Sequence, residues 1–203
     1  MRDRAEEILR FWFGDHPDDL SRVKRWFTKD EAFDESVRQR FGGDLGLAAD
    51  GALDDWTDSD DPRRVLAFVV LNDQFPRNVF RGDARAFAED ARALDASLRA
   101  QERGVDRSLS LLERYVFYLP MMHAENLATQ RAGVAAYTRL EEDAKTRGAP
   151  TELVAVLHAA LDYAQRHLEI IDRFGRFPHR NALVGRASTD EEVEFLKQPG
   201  SSF

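Results

Sequence analysis

Gly148-Ala149-Pro150-Thr151-Glu152-Leu153-Val154-Ala155-Val156-Leu157 reads as a chain break followed by a helix start, and the helix it opens decides the fold class. Leu153, Leu157, Leu161, Ala164, Leu168 and Ile171 recur at helical spacing, which predicts a long helix from a Thr151 cap to about residue 174. Working outward, the same period recurs along most of the chain. Ile8, Leu9 and Trp12 begin one apolar face, and Phe33, Val37 and Phe41 form a stripe before Gly42-Gly43. Asp58-Ser59-Asp60-Asp61 before Pro62 places carboxylates at the positive end of a helix dipole and proline in its first turn. That helix, about 62–74, is apolar nearly all round and is expected at the centre. Further helices are expected at about 84–103, stopped by Gly104, then at 109–119 and 121–147 with a break or kink at Pro120. A short closing helix should begin near Ser188-Thr189-Asp190. Alternating strand patterns are missing, so the expectation is one all-helical domain over 1–203, with a loose division at 148–150 as the alternative.

The totals narrow the function classes. The 203 residues include no cysteine, which excludes disulfides, thiolate nucleophiles and zinc–thiolate sites. The longest apolar run, Val65 to Leu71, falls far short of the ~20 residues that span a bilayer. The start of the chain lacks the apolar stretch of a secretory signal, and a cytoplasmic location is expected. A net charge of −8 argues against nucleic acid and membrane surfaces as partners. The charge is uneven: residues 173–186 carry Arg173, Arg176, Arg180 and Arg186 with no acid, a cationic island able to draw a small anion.

A second signal is a near-repeat. Phe75-Pro76-Arg77-Asn78 returns as Phe177-Pro178-His179-Arg180-Asn181, each copy followed by an apolar residue (Phe80, Leu183) and a glycine (Gly82, Gly185) at matching distances. Proline, guanidinium and amide in one corner are suited to holding an anion or carboxylate. A purely structural corner is the competing reading. Helical phase adds polar groups on apolar faces. Asp73 falls amid the stripe of Leu66, Val69 and Val70, where a buried carboxylate requires an arginine or several N–H donors. His123, Asn126 and Gln130 continue the face of Leu112, Val116 and Leu119, a pattern typical of an interior hydrogen-bond network. On the long helix, His158 shares a flank with Asp162 and Glu169 and reads as solvated, while His167 leans towards packed surface.

Several chemistries drop out. The chain has no Gly-rich phosphate loop, no G-x-S-x-G elbow and no H-E-x-x-H. His123-Ala124-Glu125 echoes the H-x-E of zinc deaminases, whose paired cysteines this chain lacks, and two helical residues two apart point about 200° apart, poor for chelation. No metal and no cofactor are expected.

These strings together resemble a bacterial family catalogued as domain of unknown function 924. The resemblance rests on Leu9 to Gly14 with Trp26-Phe27, Asp73 to Asn78 with Arg81-Gly82, Ala86-Phe87, Glu113-Arg114 through Leu119-Pro120, Met122-His123 with Glu125, and Arg173 to Arg186. Ala124 and Asn72 depart from the family pattern, which carries Ser and Leu there. The resemblance implies stacked antiparallel helical hairpins in a tetratricopeptide-like right-handed array; it implies no activity.

The resulting expectation is a central pocket. Asp73, Arg77, Asn78 and Arg81 come from one corner and His179, Arg180 and Asn181 from the other, with His123, Glu125 and His167 between them as candidate catalytic groups. It would bind a small anion, a carboxylate or the acidic end of a peptide; the alternative is a metal-independent, hydrolase-like acid/base enzyme using His123 or His167 with a carboxylate partner.

Overall fold

Asp61 accepts a hydrogen bond from the Arg63 amide at 3.0 Å, and Pro62 opens the helix it caps. In the computed structural model, which describes residues 3–202, that helix is one of a set packed without any strand among the described residues. In chain order they are α1 (Arg4–Phe13), α2 (Val23–Phe27), α3 (Glu31–Ala49), α4 (Pro62–Val69), α5 (Phe75–Val79) and α6 (Asp90–Arg103). There follow α7 (Leu111–Phe117), α8 (Leu119–His123), α9 (Leu127–Thr146), α10 (Thr151–Phe174) and α11 (Asp190–Leu196). The chain folds as a single all-α domain.

Helix α4 is central, as its all-round apolarity requires: Val65 to Val69 are inaccessible, and α1, α6 and α7 pack on it. Around it the main core gathers Ile8, Trp12, Phe41, Phe68, Phe75, Leu112 and Tyr137, each fully buried. A Trp12–Trp26 stack at 5.6 Å and a Phe41–Phe75 contact at 4.9 Å bind α1, α2, α3 and α5 into one aromatic layer. This core draws on residues from Ala5 to Ala164, so it runs past 148–150. There Gly148, with φ of 66°, makes the turn of a hairpin in which α9 and α10 pack along each other.

Several boundaries differ from the sequence reading, each for an identifiable reason. The expected helix 62–74 is α at Pro62–Val69 but widens into a π-turn over Val70–Gln74, so that Pro76 finds a place just inside α5. Residues 84–87 form a separate 3-10 turn capped by Asp83, and α6 starts only at Asp90. The expected break at Pro120 is present: α7 ends at Phe117 and α8 opens at Leu119, with Pro120 in its first turn, where the missing N–H costs nothing. A second break, outside the sequence reading, lies at Ala124–Asn126, where Asn126 caps α9 by accepting from the Thr129 amide at 2.9 Å. Thr151 is the first residue of α10 rather than its cap, a position held by Pro150 without a side-chain bond. The closing helix α11 carries a reciprocal capping box between Thr189 and Glu192.

Candidate functional site

The π-turn gives the first corner its shape. Phe75 N donates to Val70 O, the wider helical spacing, and Asp73 is left fully buried beneath the turn. Arg77 donates from Nη1 to the Asp73 carbonyl, and its Nη1 and Nη2 each reach a carboxylate oxygen of Asp90 at 2.9 Å. That fork ties the corner to the first turn of α6.

Helix α8 brings His123 to Asp73. Gly133 of α9 lets the helices approach closely, since a Cβ there would stand 3.2 Å from Met121 Cβ. Gln130 Nε2 donates to Met122 O at 2.6 Å and Ala124 O at 2.8 Å, ending α8 with His123 as its last residue. His123 Nδ1 then lies 2.8 and 3.0 Å from the Asp73 carboxylate oxygens, and Gln74 Nε2 donates to Oδ2 at 2.5 Å. Burial alone would raise the Asp73 pKa. The charge of Arg77 and the His123 contact outweigh it and hold Asp73 below the usual carboxylate range. Burial, with Arg77 nearby, pushes His123 below the usual imidazole range despite Asp73. An ionised carboxylate only accepts, so Nδ1 carries the proton and Nε2 the lone pair.

The second corner follows α10, which ends at Gly175 in the left-handed region (φ 68°). Phe177 N donates to Glu125 Oε1 at 2.7 Å, and Arg186 grips both oxygens of Glu125 at 2.6 and 2.8 Å. Pro178–Arg180 then forms a 3-10 turn. Arg180 lies between two aromatic faces, 4.5 Å from the Phe87 centroid and 4.7 Å from Phe177. Its Nη1 reaches the same Asp90 carboxylate that Arg77 holds, at 3.3 Å. Arg180 Nε is buried with no hydrogen-bond partner among the described residues. Burial, then the repulsion of Arg77, lowers the Arg180 pKa to about 10. His167 donates from Nδ1 to Tyr163 O at 2.7 Å, with its ring 6.3 Å from His123 and 5.5 Å from Phe177. Burial takes His167 down to about 3 and His179 to about 4.

These groups surround a cavity of about 650 Å³, within the range that holds a small organic molecule. Arg77, Asn78, Arg81, His123, His167, His179 and Arg180 line it, with Asp73 behind His123. Three of the expected residues do not line it: Asp73 is buried behind His123, Glu125 fastens the second corner, and Asn181 donates to Ser188 Oγ at 3.1 Å and Glu192 Oε2 at 3.2 Å. Asn78 and Arg81 line it but are also engaged by Asp34 of α3, at 2.7 Å for Asn78 and 3.0 and 3.1 Å for Arg81. Sequence reasoning missed Asp34, Asp90, Gln74 and the aromatic wall of Trp26, Phe27, Tyr115 and Phe87. Asp90 and Asp34 gave little signal, because an acid in the first turn of a helix already has an ordinary explanation. Among the described residues no three His, Asp or Glu side chains are placed to hold a metal ion, and no helix is long and apolar enough to cross a membrane.

No curated protein matches the chain. A solved structure of a protein of unknown function from Agrobacterium tumefaciens is similar at 37% identity, covering 95% of this chain and 96% of that one with a TM-score of 0.73. Residues 8–200 match the model of DUF924, described as bacterial protein of unknown function. The chain with two arginine corners on one carboxylate thus belongs to the DUF924 family.

Proposed function

We propose that the cavity binds a small molecule through a carboxylate or phosphate group, with Arg180 as the principal cation. The observation that carries this reading is the state of Arg180: buried, stacked between two rings, and sharing with Arg77 a single carboxylate that Arg77 already engages with both nitrogens. Arg77 is also met by Asp73, at 3.4 Å, so the unused donors belong to Arg180, whose Nε has no partner among the described residues. An entering anion would accept from those donors. The acidic end of a peptide offers the same group. The tetratricopeptide-like array implied by the family resemblance belongs to the same reading, its concave side holding the cavity; the α9–α10 hairpin is consistent with it.

The test is thermal. Phosphate and small carboxylates should raise the melting temperature of the wild type, and Arg180→Ala should abolish the rise while remaining folded. Equal stabilisation of both proteins would refute the assignment.

A second reading is favoured by a specific contact, the 2.8 Å bond from His123 Nδ1 to buried Asp73. A neutral imidazole fixed in this way presents Nε2 as a proton acceptor, the arrangement of a metal-independent general base. On this reading the bound molecule is a substrate, whose proton, or that of a water attacking it, passes to His123 Nε2. Asp73→Asn and His123→Asn would then stop turnover while anion binding persists; a bound ligand recovered unchanged from the wild type would leave only the binding function.

A further inference from the structure

The groups that line the cavity differ in the direction of the hydrogen bonds they can make. Arg77 and Arg180 bring N–H donors and no acceptor. His123 is their opposite. Among the described residues its hydrogen bonds all run through Nδ1, which lies 2.8 and 3.0 Å from the Asp73 carboxylate oxygens. The proton is held there, so Nε2 carries a lone pair that can only accept. Asp73 is fully buried and also accepts from Gln74 Nε2 at 2.5 Å, which fixes the carboxylate against the ring.

The acceptor and the donors are neighbours. Asp73 Oδ1 has His123 Nδ1 at 2.8 Å and Arg77 Nη1 at 3.4 Å, so the imidazole and the first guanidinium share one oxygen. Asp90 Oδ2 has Arg77 Nη2 at 2.9 Å and Arg180 Nη1 at 3.3 Å, so the two guanidiniums share another. A continuous run of contacts thus joins His123 to Arg180, and His123, Arg77 and Arg180 all line the cavity. A plain carboxylate or phosphate satisfies only half of this set. Its oxygens accept, and an oxygen lone pair set against that of Nε2 repels it. Once a ligand has displaced water, a polar atom left unmet costs free energy. A hydroxyl on the same molecule donates to Nε2 and removes that cost.

We infer that the ligand is a hydroxylated anion: a hydroxy acid or hydroxyalkyl phosphate whose anionic head accepts from Arg180 while its hydroxyl donates to His123 Nε2. This rests on the anion-binding reading above and extends it to a ligand class. Asp73 then sets specificity without touching the ligand. By keeping the proton on Nδ1 it makes the site ask for a donor, and a carbonyl in place of the hydroxyl would set lone pair against lone pair.

The experiment is an NMR titration of the intact protein with propionate, lactate, 3-hydroxypropionate, pyruvate, ethyl phosphate and 2-hydroxyethyl phosphate. It is run at about pH 8, where phosphate monoesters are dianions without a P–O–H of their own. The better-placed hydroxy acid should bind about two- to tenfold more tightly than propionate, the gain from one net hydrogen bond, and pyruvate no more tightly than propionate. 2-Hydroxyethyl phosphate should exceed ethyl phosphate in the same way, and its affinity against that of the hydroxy acids tells which head is preferred. The His123 Nε2 resonance should move towards the protonated position with the hydroxylated probes and not with propionate, a readout that needs no variant. Arg180→Gln should weaken all six by a similar factor. Asp73→Asn, which turns the imidazole to its Nε2–H form, should erase the advantage of the hydroxyl and favour pyruvate. Equal affinity with and without the hydroxyl, still weakened by Arg180→Gln, would overturn the inference and leave the anion site standing. A hydroxyl preference that leaves Nε2 unmoved would put the hydroxyl on another group and overturn it as well. Binding by none of the six would remove both readings.

Discussion

His123 Nδ1 lies 2.8 Å from Asp73 Oδ1, joining the end of α8 to a π-turn fifty residues earlier in the chain. The bond fixes a tautomer. At neutral pH His123 should be uncharged with its proton on Nδ1, visible in long-range proton–nitrogen correlation spectra. Asp73→Asn offers an amide that can donate, so the imidazole should turn to the Nε2–H form. Finding Nε2–H already in the wild type would contradict both the ionised Asp73 and the base role.

A second consequence is acid sensitivity. His123, His167 and His179 are held below the ordinary imidazole range, His167 at about 3 and His179 at about 4, burial being the first cause in each. A group whose folded pKa is depressed stabilises the fold above its unfolded pKa, about 6.5 here, and loses that contribution as pH falls towards the folded value. Between about pH 6.5 and 5 unfolding should therefore take up close to two protons at His167 and His179, a slope approaching about 3 kcal/mol per pH unit, to which His123 adds in the same direction. Asp73, held low, loses its contribution only below the ordinary carboxylate pKa of about 4, outside this window. Urea denaturation across the window measures the slope, and His167→Asn should remove about one proton from it. A slope near zero would mean that the imidazoles titrate freely.

Asp90 is the common partner of both corner arginines. Asp90→Ala leaves Arg180 without its carboxylate and Arg77 with Asp73 alone, and should cost about 3 kcal/mol in urea denaturation. Added acetate should recover part of that loss, more than it stabilises the wild type, because the anion replaces the missing carboxylate. Loss of stability without recovery would indicate that the corner is closed to ligands.

How far the sequence leads here depends on whether a feature is written in local chemistry. Asp61-Pro62 marks the α4 start without ambiguity, because cap and proline act on adjacent backbone groups. Asp73 is legible as a buried carboxylate in need of partners from the phase of Leu66, Val69 and Val70 alone, and Arg77 meets it four residues on. The π-turn over Val70–Gln74 is not legible, since the chain is buried from Val65 through Gln74 and has no solvent face whose period an inserted residue would shift. Pro120 marks the break between α7 and α8, because its missing N–H suits a first turn, while Asn126 followed by Thr129 carries the signal of the second break, before α9. The convergence of Arg77 and Arg180 on Asp90 depends on how α6 and the residues after α10 pack together, which no local pattern encodes.

The near-repeat itself conceals two clamps. Asn78 Nδ2 donates to Asp34 of α3 at 2.7 Å, and Asn181 Nδ2 donates to Glu192 of α11 at 3.2 Å, so each corner uses its asparagine to tether a different helix by a carboxylate. The tethered helices differ in what else holds them. Phe33, Val37 and Phe41 root α3 in the main core, whereas Phe195 of α11 packs against the small cluster of Ile170, Ile171, Phe177, Leu127 and Phe174. Loss of a hydrogen bond to a charged group is worth about 1.5–3 kcal/mol. Asn78→Ala should thus lower global stability by that amount, moving the whole urea transition. Asn181→Ala should leave the transition nearly in place and instead speed hydrogen exchange in residues 190–196, because α11 can detach while the main core stays shut. Equal global losses from the two substitutions would mean that α11 unfolds only with the rest, and that both corners serve one cooperative unit.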